Sequence, residues 1–140
     1  MRSRKNTLGL GVIIFIIGFV ACSFTTANLS SLKLSKDKAG SQQASSFGAD
    51  ETVYGIAEVA NAPGKIKVKG RLVVEDVPGE KTGPIPGLET SVDLPGSGTA
   101  TFTFTPPPTG WPKGKYKLEA VMLDEKGDQK DQKSADFSIQ

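Results

Sequence analysis

The chain has 140 residues, a single cysteine and no histidine. Its length allows one domain of ordinary size. The missing histidines exclude histidine-based acid–base catalysis, Ser-His-Asp triads and histidine metal sites, and one cysteine cannot form an intrachain disulfide or a cysteine-cluster metal site. The 17 Lys+Arg and 15 Asp+Glu give a formal net charge of +2 at pH 7, which gives no support to nucleic-acid binding.

The positive charge is concentrated at the N-terminus. Arg2, Arg4 and Lys5 are the only charged residues before Lys33. After residue 21 the chain carries 14 basic and 15 acidic residues, so the body of the protein is nearly neutral.

Leu8 to Ala21 is an almost unbroken apolar run of 14 residues behind this positive segment. A secretory signal contains an apolar region of about 7–15 residues, whereas a membrane-spanning helix needs about 20. A buried core helix would show one polar face, which this run lacks. The pattern therefore predicts a signal peptide or membrane anchor over residues 1–21.

Cys22 lies where the apolar run ends, in the sequence Phe19-Val20-Ala21-Cys22. This segment resembles the lipobox of bacterial lipoprotein precursors, in which a small residue precedes the cysteine that is lipidated and becomes the new N-terminus. The resemblance implies lipidation of Cys22. Two alternatives stay open, namely cleavage after Ala27 and an uncleaved anchor with its positive end in the cytoplasm. All three place the remaining chain outside the cytoplasm, in the cell envelope on the periplasmic or extracellular side.

Residues 22–50 are rich in Ser, Ala, Thr and Gln and are predicted to form a tether. As a flexible chain, residues 23–50 would reach roughly 30 Å, from about 5–6 Å × √n. Leu32 and Leu34 alternate with polar residues, however, as they would in a short first strand over Leu29 to Ser35. A flexible tether and a first strand with a long ordered loop therefore remain alternatives.

From residue 51 to residue 140 the apolar residues recur with a period of two, which predicts β-strands. Pro78 to Gly87 is predicted to be a loop because it holds three prolines and three glycines, and Asp124 to Lys133 is predicted to be a charged turn. The predicted strands are Val53 to Ala60, Lys65 to Asp76, Leu88 to Leu94, Thr99 to Thr105, Lys115 to Leu123 and Ser134 to Gln140.

No helical period occurs after the apolar run, so the predicted fold class is all-β. Six strands, or seven with Leu29 to Ser35, separated by turn signals at short intervals, are typical of an antiparallel β-sandwich. Residues on the apolar faces of the strands should be buried together. This set is Phe102, Phe104, Tyr116, Leu118, Phe137 and Ile139.

The stretch Trp111-Pro112-Lys113-Gly114-Lys115-Tyr116-Lys117-Leu118 resembles the penultimate strand of immunoglobulin-like and fibronectin-III-like domains. There, a turn that ends in glycine leads, two residues on, to a tyrosine that opens the strand. The turn over residues 124–127 and the closing strand around Phe137 extend the resemblance. It implies an Ig-like sandwich in a bacterial envelope lipoprotein of unassigned function, without the disulfide of antibody domains. The fold alone does not assign a function.

A basic stripe is the first candidate binding surface. Lys65, Lys67, Lys69 and Arg71 share one face of a predicted strand. Lys113, Lys115 and Lys117 alternate in the same way near a second predicted strand. If these two strands pair, their outer faces merge into one basic surface that could meet anionic lipid head groups or an acidic polymer. The alternative is that these lysines keep an exposed strand soluble and block edge pairing.

Trp111 is the second candidate, because it lies among Pro106, Pro107, Pro108 and Pro112 in a stiff loop. Exposed, it could stack on a sugar ring or anchor a partner. Buried, it would close the open end of the sandwich.

No catalytic residue, metal ligand or cofactor is predicted. The adjacent carboxylates Glu75-Asp76 and Asp124-Glu125 would point to opposite faces of a strand. Residues 124–131 lack the ligand order of a calcium loop and are typical of a hairpin turn.

The leading hypothesis is a non-enzymatic, membrane-anchored envelope lipoprotein with an Ig-like binding or structural module. Its partners would be the membrane and an envelope protein or anionic polymer. One alternative is an accessory subunit of a membrane protein complex, held by an uncleaved N-terminal transmembrane helix. Another is a carbohydrate-binding accessory module that uses Trp111.

Overall fold

The computed structural model describes residues 27–140, so the apolar run and Cys22 lie outside the described residues. The described part contains no helix and forms eight β-strands in two sheets, which confirms the all-β prediction. The strands are β1 (Asn28–Ser35), β2 (Ser46–Phe47), β3 (Val53–Ala60), β4 (Ile66–Asp76), β5 (Gly83–Leu94), β6 (Gly98–Phe104), β7 (Gly114–Leu123) and β8 (Gln129–Ile139).

The two sheets have the strand orders β1-β3-β6 and β2-β8-β7-β4-β5. All pairings are antiparallel except that of β2 with β8. The chain crosses between the two sheets at every connection except β4–β5 and β7–β8, which join neighbouring strands of the larger sheet. Strand β5 lies at the edge of that sheet in an Ig-like sandwich. The predicted side-by-side pairing of β4 and β7 is confirmed.

The sandwich starts earlier than residue 51. Strand β1 begins at Asn28 and pairs along its length with β3, so the first strand forms and residues 28–35 are not a flexible tether. Strand β2 was not predicted, because two residues are too short to show a period. Two backbone hydrogen bonds hold the segment around β2 beside the end of β8: Ser138 N–H donates to Ser45 O at 2.9 Å, and Gln140 N–H donates to Phe47 O at 2.9 Å.

Two segments predicted to be a loop and a turn are partly strand in the structure. Strand β5 begins at Gly83, inside the segment predicted to be a loop, and includes Pro84 and Pro86. Proline is tolerated there because β5 is an edge strand, where a missing N–H need not break a ladder. Strand β8 begins at Gln129, and its first residues are polar because they remain largely exposed.

The core lies between the two sheets, and the six residues predicted to be buried together all belong to it. The ring of Tyr116 stacks on that of Phe137 with centroids 5.4 Å apart, and Phe47 meets Phe137 edge-on at 5.7 Å. Tyr116 Oη–H also donates to Pro112 O at 2.6 Å, four residues upstream. This bond fixes the turn before β7, as the tyrosine near this strand does in Ig-like domains.

Two glycines allow the sheets to approach closely. A Cβ built at Gly70 on β4 would lie 2.9 Å from ring atoms of Phe102 on β6, and one built at Gly55 on β3 would overlap the side chain of Leu118 on β7. Phe102 and Leu118 are almost fully buried. Close packing of the two sheets therefore requires glycine at both positions. The alternation of apolar and polar residues along the strands does not reveal this requirement.

We expect Gly70→Ala to lower the free energy of unfolding by about 1–3 kcal/mol, because the buried ring of Phe102 has to move to admit a methyl group. Gly96→Ala is the matched control, since a Cβ there meets nothing within 4 Å, and it should change stability by less than about 0.5 kcal/mol. Urea denaturation followed by circular dichroism measures both. Equal stability of the two variants would contradict the close approach at Gly70.

Candidate functional site

The sandwich has two ends, which position all the candidate residues. The N-terminal end is where β1 begins, and it carries the turns over residues 61–65, 95–97 and 124–128. The far end carries the β1–β3 connection, the turn over residues 77–82, and the loop over residues 105–113.

The basic stripe is spread along the outer face of the five-stranded sheet. Lys67, Lys69 and Arg71 follow one another on β4, with Lys65 just before the strand. The antiparallel register places Lys67 opposite Leu123 but Lys115 opposite Asp76. Lys117 is opposite Val73, so at about 3.3 Å per residue the two lysines of β7 lie roughly 20–30 Å along the sheet from Lys67. The two strands are paired in the sheet, but their lysines do not form one cluster.

Carboxylates are interleaved with these basic groups. Arg71 Nε lies 2.8 Å from Glu119 Oε1, and Lys117 Nζ lies 3.5 Å from Glu119 Oε2 and 3.9 Å from Glu75 Oε2. Lys67 Nζ lies 3.8 Å from Asp93 Oδ1 on β5. Such exposed pairs contribute about 0–1 kcal/mol each, but they make the face mixed in charge. Binding of anionic surfaces by this face stays a prediction.

Trp111 is buried at the far end of the sandwich, with 5% of its surface exposed. Its Nε1–H donates to Glu51 O at 2.8 Å, and its backbone N–H donates to Ala49 O at 2.8 Å. These bonds tie the loop over residues 105–113 to the β1–β3 connection. Of the two alternatives for Trp111, the structure shows the one in which the indole closes the end of the sandwich.

A cleft of about 330 Å³ lies beside Trp111, between the edge strand β5 and the loop that follows β6. Its walls include Ile85 and Leu88 of β5 and the buried Tyr116. Burial raises the pKa of the Tyr116 hydroxyl, and the nearby charge of Glu80 raises it further. Alternation along single strands does not predict this cleft, because its lining comes from segments between residues 74 and 116 that lie apart in the chain.

The acidic residues with the most strongly bonded carboxylates act within turns. Asp37 accepts hydrogen bonds from the Ser35 hydroxyl at 2.6 Å, from the Ser41 hydroxyl and from Gln42 N–H at 2.8 Å. The hydroxyl of Ser35, then that of Ser41 and the amide of Gln42, hold the pKa of Asp37 well below its usual range.

Two further carboxylates have the same role. Gly48 N–H donates to Glu51 at 2.6 Å, and this bond, followed by the ion pair with Lys36, lowers the pKa of Glu51. Asp124 accepts from the backbone N–H of Asp128 and of Lys126, both at 2.9 Å. The Asp128 bond is the main cause of a lowered pKa of Asp124. Residues 124–128 thus form the expected hairpin turn.

Across residues 27–140 we find no helix with the length and apolar character of a membrane span. In the same range, the side chains of His, Cys, Asp and Glu do not gather into groups of three that could hold a metal ion.

A hollow of about 610 Å³ lies at the N-terminal end, where β1 enters the sandwich. Ala27 lines it together with the turns that flank it, through Pro63, Lys65, Asp124 and Lys126. A second hollow of about 550 Å³ adjoins it at Lys65. Sequence reasoning missed both, because they are formed by turns far apart in the chain.

Comparisons with known proteins add the fold alone. The soluble domain of PmoD from Methylocystis sp. ATCC 49242 (Rockwell) has a TM-score of 0.43 and 13% identity, over 78% of this chain and 89% of that one. A Niemann-Pick type C2 protein from Japanese carpenter ant has a TM-score of 0.46 and 15% identity, over 85% of this chain and 96% of that one. Bacteroides uniformis β-glucuronidase 2 has a TM-score of 0.51 and 14% identity, over 81% of this chain but 14% of the enzyme. No protein-family model and no curated protein matches the sequence.

The burial of Trp111 predicts a protected fluorophore. Because Trp111 is the sole tryptophan, its fluorescence reports on this loop directly. We expect iodide to quench the native protein several-fold less than the urea-unfolded chain, which serves as the control. Equal quenching of the two would contradict the burial of the indole.

The bonding of Asp37 predicts a pH-dependent contribution to stability. Its folded-state pKa is depressed, so its contribution is complete above the unfolded pKa of about 3.9 and fades as the pH falls below that value. Asp37→Asn, which cannot accept all three bonds, should therefore be less stable than the parent protein at neutral pH, and the difference should shrink below about pH 4. Urea midpoints across this range measure it. Asp50→Asn, at an exposed position in the same β1–β3 connection, is the control. A loss of stability in Asp37→Asn that does not change with pH would contradict the lowered pKa of Asp37.

Proposed function

We propose that this protein is a non-enzymatic, lipid-anchored component of the bacterial cell envelope whose Ig-like sandwich acts outside the cytoplasm as a binding or structural module. The observation that carries the proposal is the position of Cys22. It is the sole cysteine, it follows a small residue at the end of an apolar run of signal length, and β1 begins six positions later. The folded domain thus follows the predicted lipidation site almost at once.

A non-enzymatic role is supported by what the acidic side chains do. Asp37, Glu51 and Asp124 have lowered pKa values, and each owes the shift first to hydrogen bonds that hold a turn. A carboxylate that acts on a substrate would instead need an oxygen free to face it. The burial of Trp111 also leaves the carbohydrate-binding alternative without its stacking surface.

Lipidation would make the membrane association stable. A single acyl chain gives marginal binding, on the order of 10⁴ M⁻¹, whereas two or more chains hold a protein at the bilayer. A diacylated Cys22 therefore accounts for anchoring without any contribution from the sandwich. The module remains free to present its mixed-charge face to an envelope partner.

Mass spectrometry of the protein purified from bacterial membranes tests the proposal. We expect the mature chain to begin at Cys22 and to carry acyl groups, and we expect the protein to stay with membranes in high salt. Cys22→Ser should lose acylation because it removes the sulfur that carries the diacyl group. Ser23→Ala, which alters the neighbouring residue but keeps the cysteine, should be processed like the parent protein.

Two results would contradict lipidation and distinguish its alternatives. An intact Met1 with an unmodified thiol would favour the uncleaved helix and an accessory role in a membrane complex. A free N-terminus at Asn28 would indicate simple secretion and would overturn membrane anchoring altogether.

A further inference from the structure

We infer that the N-terminal end of the sandwich faces the lipid bilayer and contacts zwitterionic phospholipid head groups, with the strands standing along the membrane normal. The inference rests on the proposed anchoring of the chain at residues 1–22. It follows from where the chain enters the domain, from the length of the connection and from the charges of this end.

The chain enters the sandwich at its N-terminal end, through the edge strand β1. Ala27 lines the 610 Å³ hollow between the turns over residues 61–65 and 124–128. The next residues are held in place, because Leu29 N–H donates to Asp131 Oδ2 at 2.8 Å and Asn61 Nδ2 donates to Asn28 Oδ1 at 3.4 Å. Residues 27–29 therefore lie at the end of the sandwich and not on the outer face of the five-stranded sheet.

The connection to the anchor is short. Five residues, 23–27, separate Cys22 from β1, and the six steps from Cys22 to Asn28 span at most about 22 Å at 3.3–3.6 Å per residue. The far end lies about 36 Å away, the length of the 11 residues of β4, so it cannot reach the bilayer while the N-terminal end is tethered. Resting on the outer face of the five-stranded sheet would take up much of the connection, since β1 belongs to the other sheet, about 10 Å further from the lipid.

The charges at this end are mixed. Three lysines and two carboxylates line the hollow, namely Lys65, Lys126, Lys130, Asp124 and Glu125, and Lys130 Nζ lies 3.6 Å from Asp124 Oδ2. A zwitterionic head group offers a phosphate to the lysines and an ammonium group to the carboxylates, so it matches this mixture better than a purely anionic surface does. Contact should therefore depend little on salt or on the content of anionic lipid.

Site-specific quenching in vesicles tests the orientation. The full-length protein is reconstituted in phosphatidylethanolamine–phosphatidylcholine vesicles that contain a nitroxide-labelled lipid, and one introduced cysteine at a time carries a fluorophore. Where mass spectrometry shows that Cys22 is not acylated, the variants are made in the Cys22→Ser background. The labelled positions are all exposed: Lys126→Cys and Pro95→Cys at the N-terminal end, Lys81→Cys and Thr109→Cys at the far end, and Thr103→Cys on the outer face of the three-stranded sheet.

We expect several-fold stronger quenching at Lys126→Cys and Pro95→Cys than at the other three positions, with little change when an anionic lipid or salt is added. Equal quenching at all positions, or the strongest quenching at Thr103→Cys, would overturn the end-on orientation while leaving the anchoring proposal intact. A protein that does not stay with the vesicles would overturn both. Strong quenching that requires anionic lipid would overturn the zwitterionic assignment.

A longer connection provides a matched control. Twenty flexible Gly and Ser residues inserted after Thr25 would add a reach of roughly 25 Å, from about 5–6 Å × √n. Quenching at Lys126→Cys should then fall toward the level of the far end. Unchanged quenching would contradict the short connection as the cause of the orientation.

Discussion

The packing of Phe102 against bare backbone at Gly70 decides how the two sheets sit on each other. Its ring holds β6 over β4, and Leu118 at Gly55 holds β3 over β7 in the same way. The smaller sheet is thereby placed over the middle of the larger one, and β5 is left at the margin. The inner side chains of β5, such as Leu88 and Val92, are consequently only partly covered. The cleft beside Trp111 is a result of the same offset.

The two ends of the sandwich are built differently because different parts of the chain close them. At the far end the long β1–β3 connection folds back over the core, and its carbonyls accept both N–H groups of Trp111. Bonded carboxylates at Asp37 and Glu51 stabilise that connection. Among residues 27–140, only short turns lie at the N-terminal end, and they leave a hollow where the chain enters. The end that is left open is thus the one closest in sequence to the predicted anchor.

Alternation of apolar and polar residues was sufficient to predict most of the strands and the six core residues, because each such strand has one buried face. It failed where the strand is not half-buried: β2 has two residues, and the start of β5 lies on an edge where proline is tolerated. The basic stripe shows a further limit. Its lysines were visible along β4, but the acidic partner of Arg71 comes from β7, and that of Lys67 comes from β5. Register between strands, which a single sequence does not reveal, decides whether such a face is basic or mixed.

That register also changes what the stripe can do if the domain stands on its N-terminal end. The stripe then runs away from the bilayer, and Lys117 and Lys115 lie roughly 20–30 Å from the lipid, beyond a Debye length of about 8 Å at physiological salt. These lysines could not contribute to binding the membrane that carries the protein. They would instead face a neighbour in the envelope, with Glu119 and Glu75 beside Lys117. A face of alternating sign selects a partner by the pattern of its charges, since a uniformly acidic polymer would meet as much repulsion as attraction.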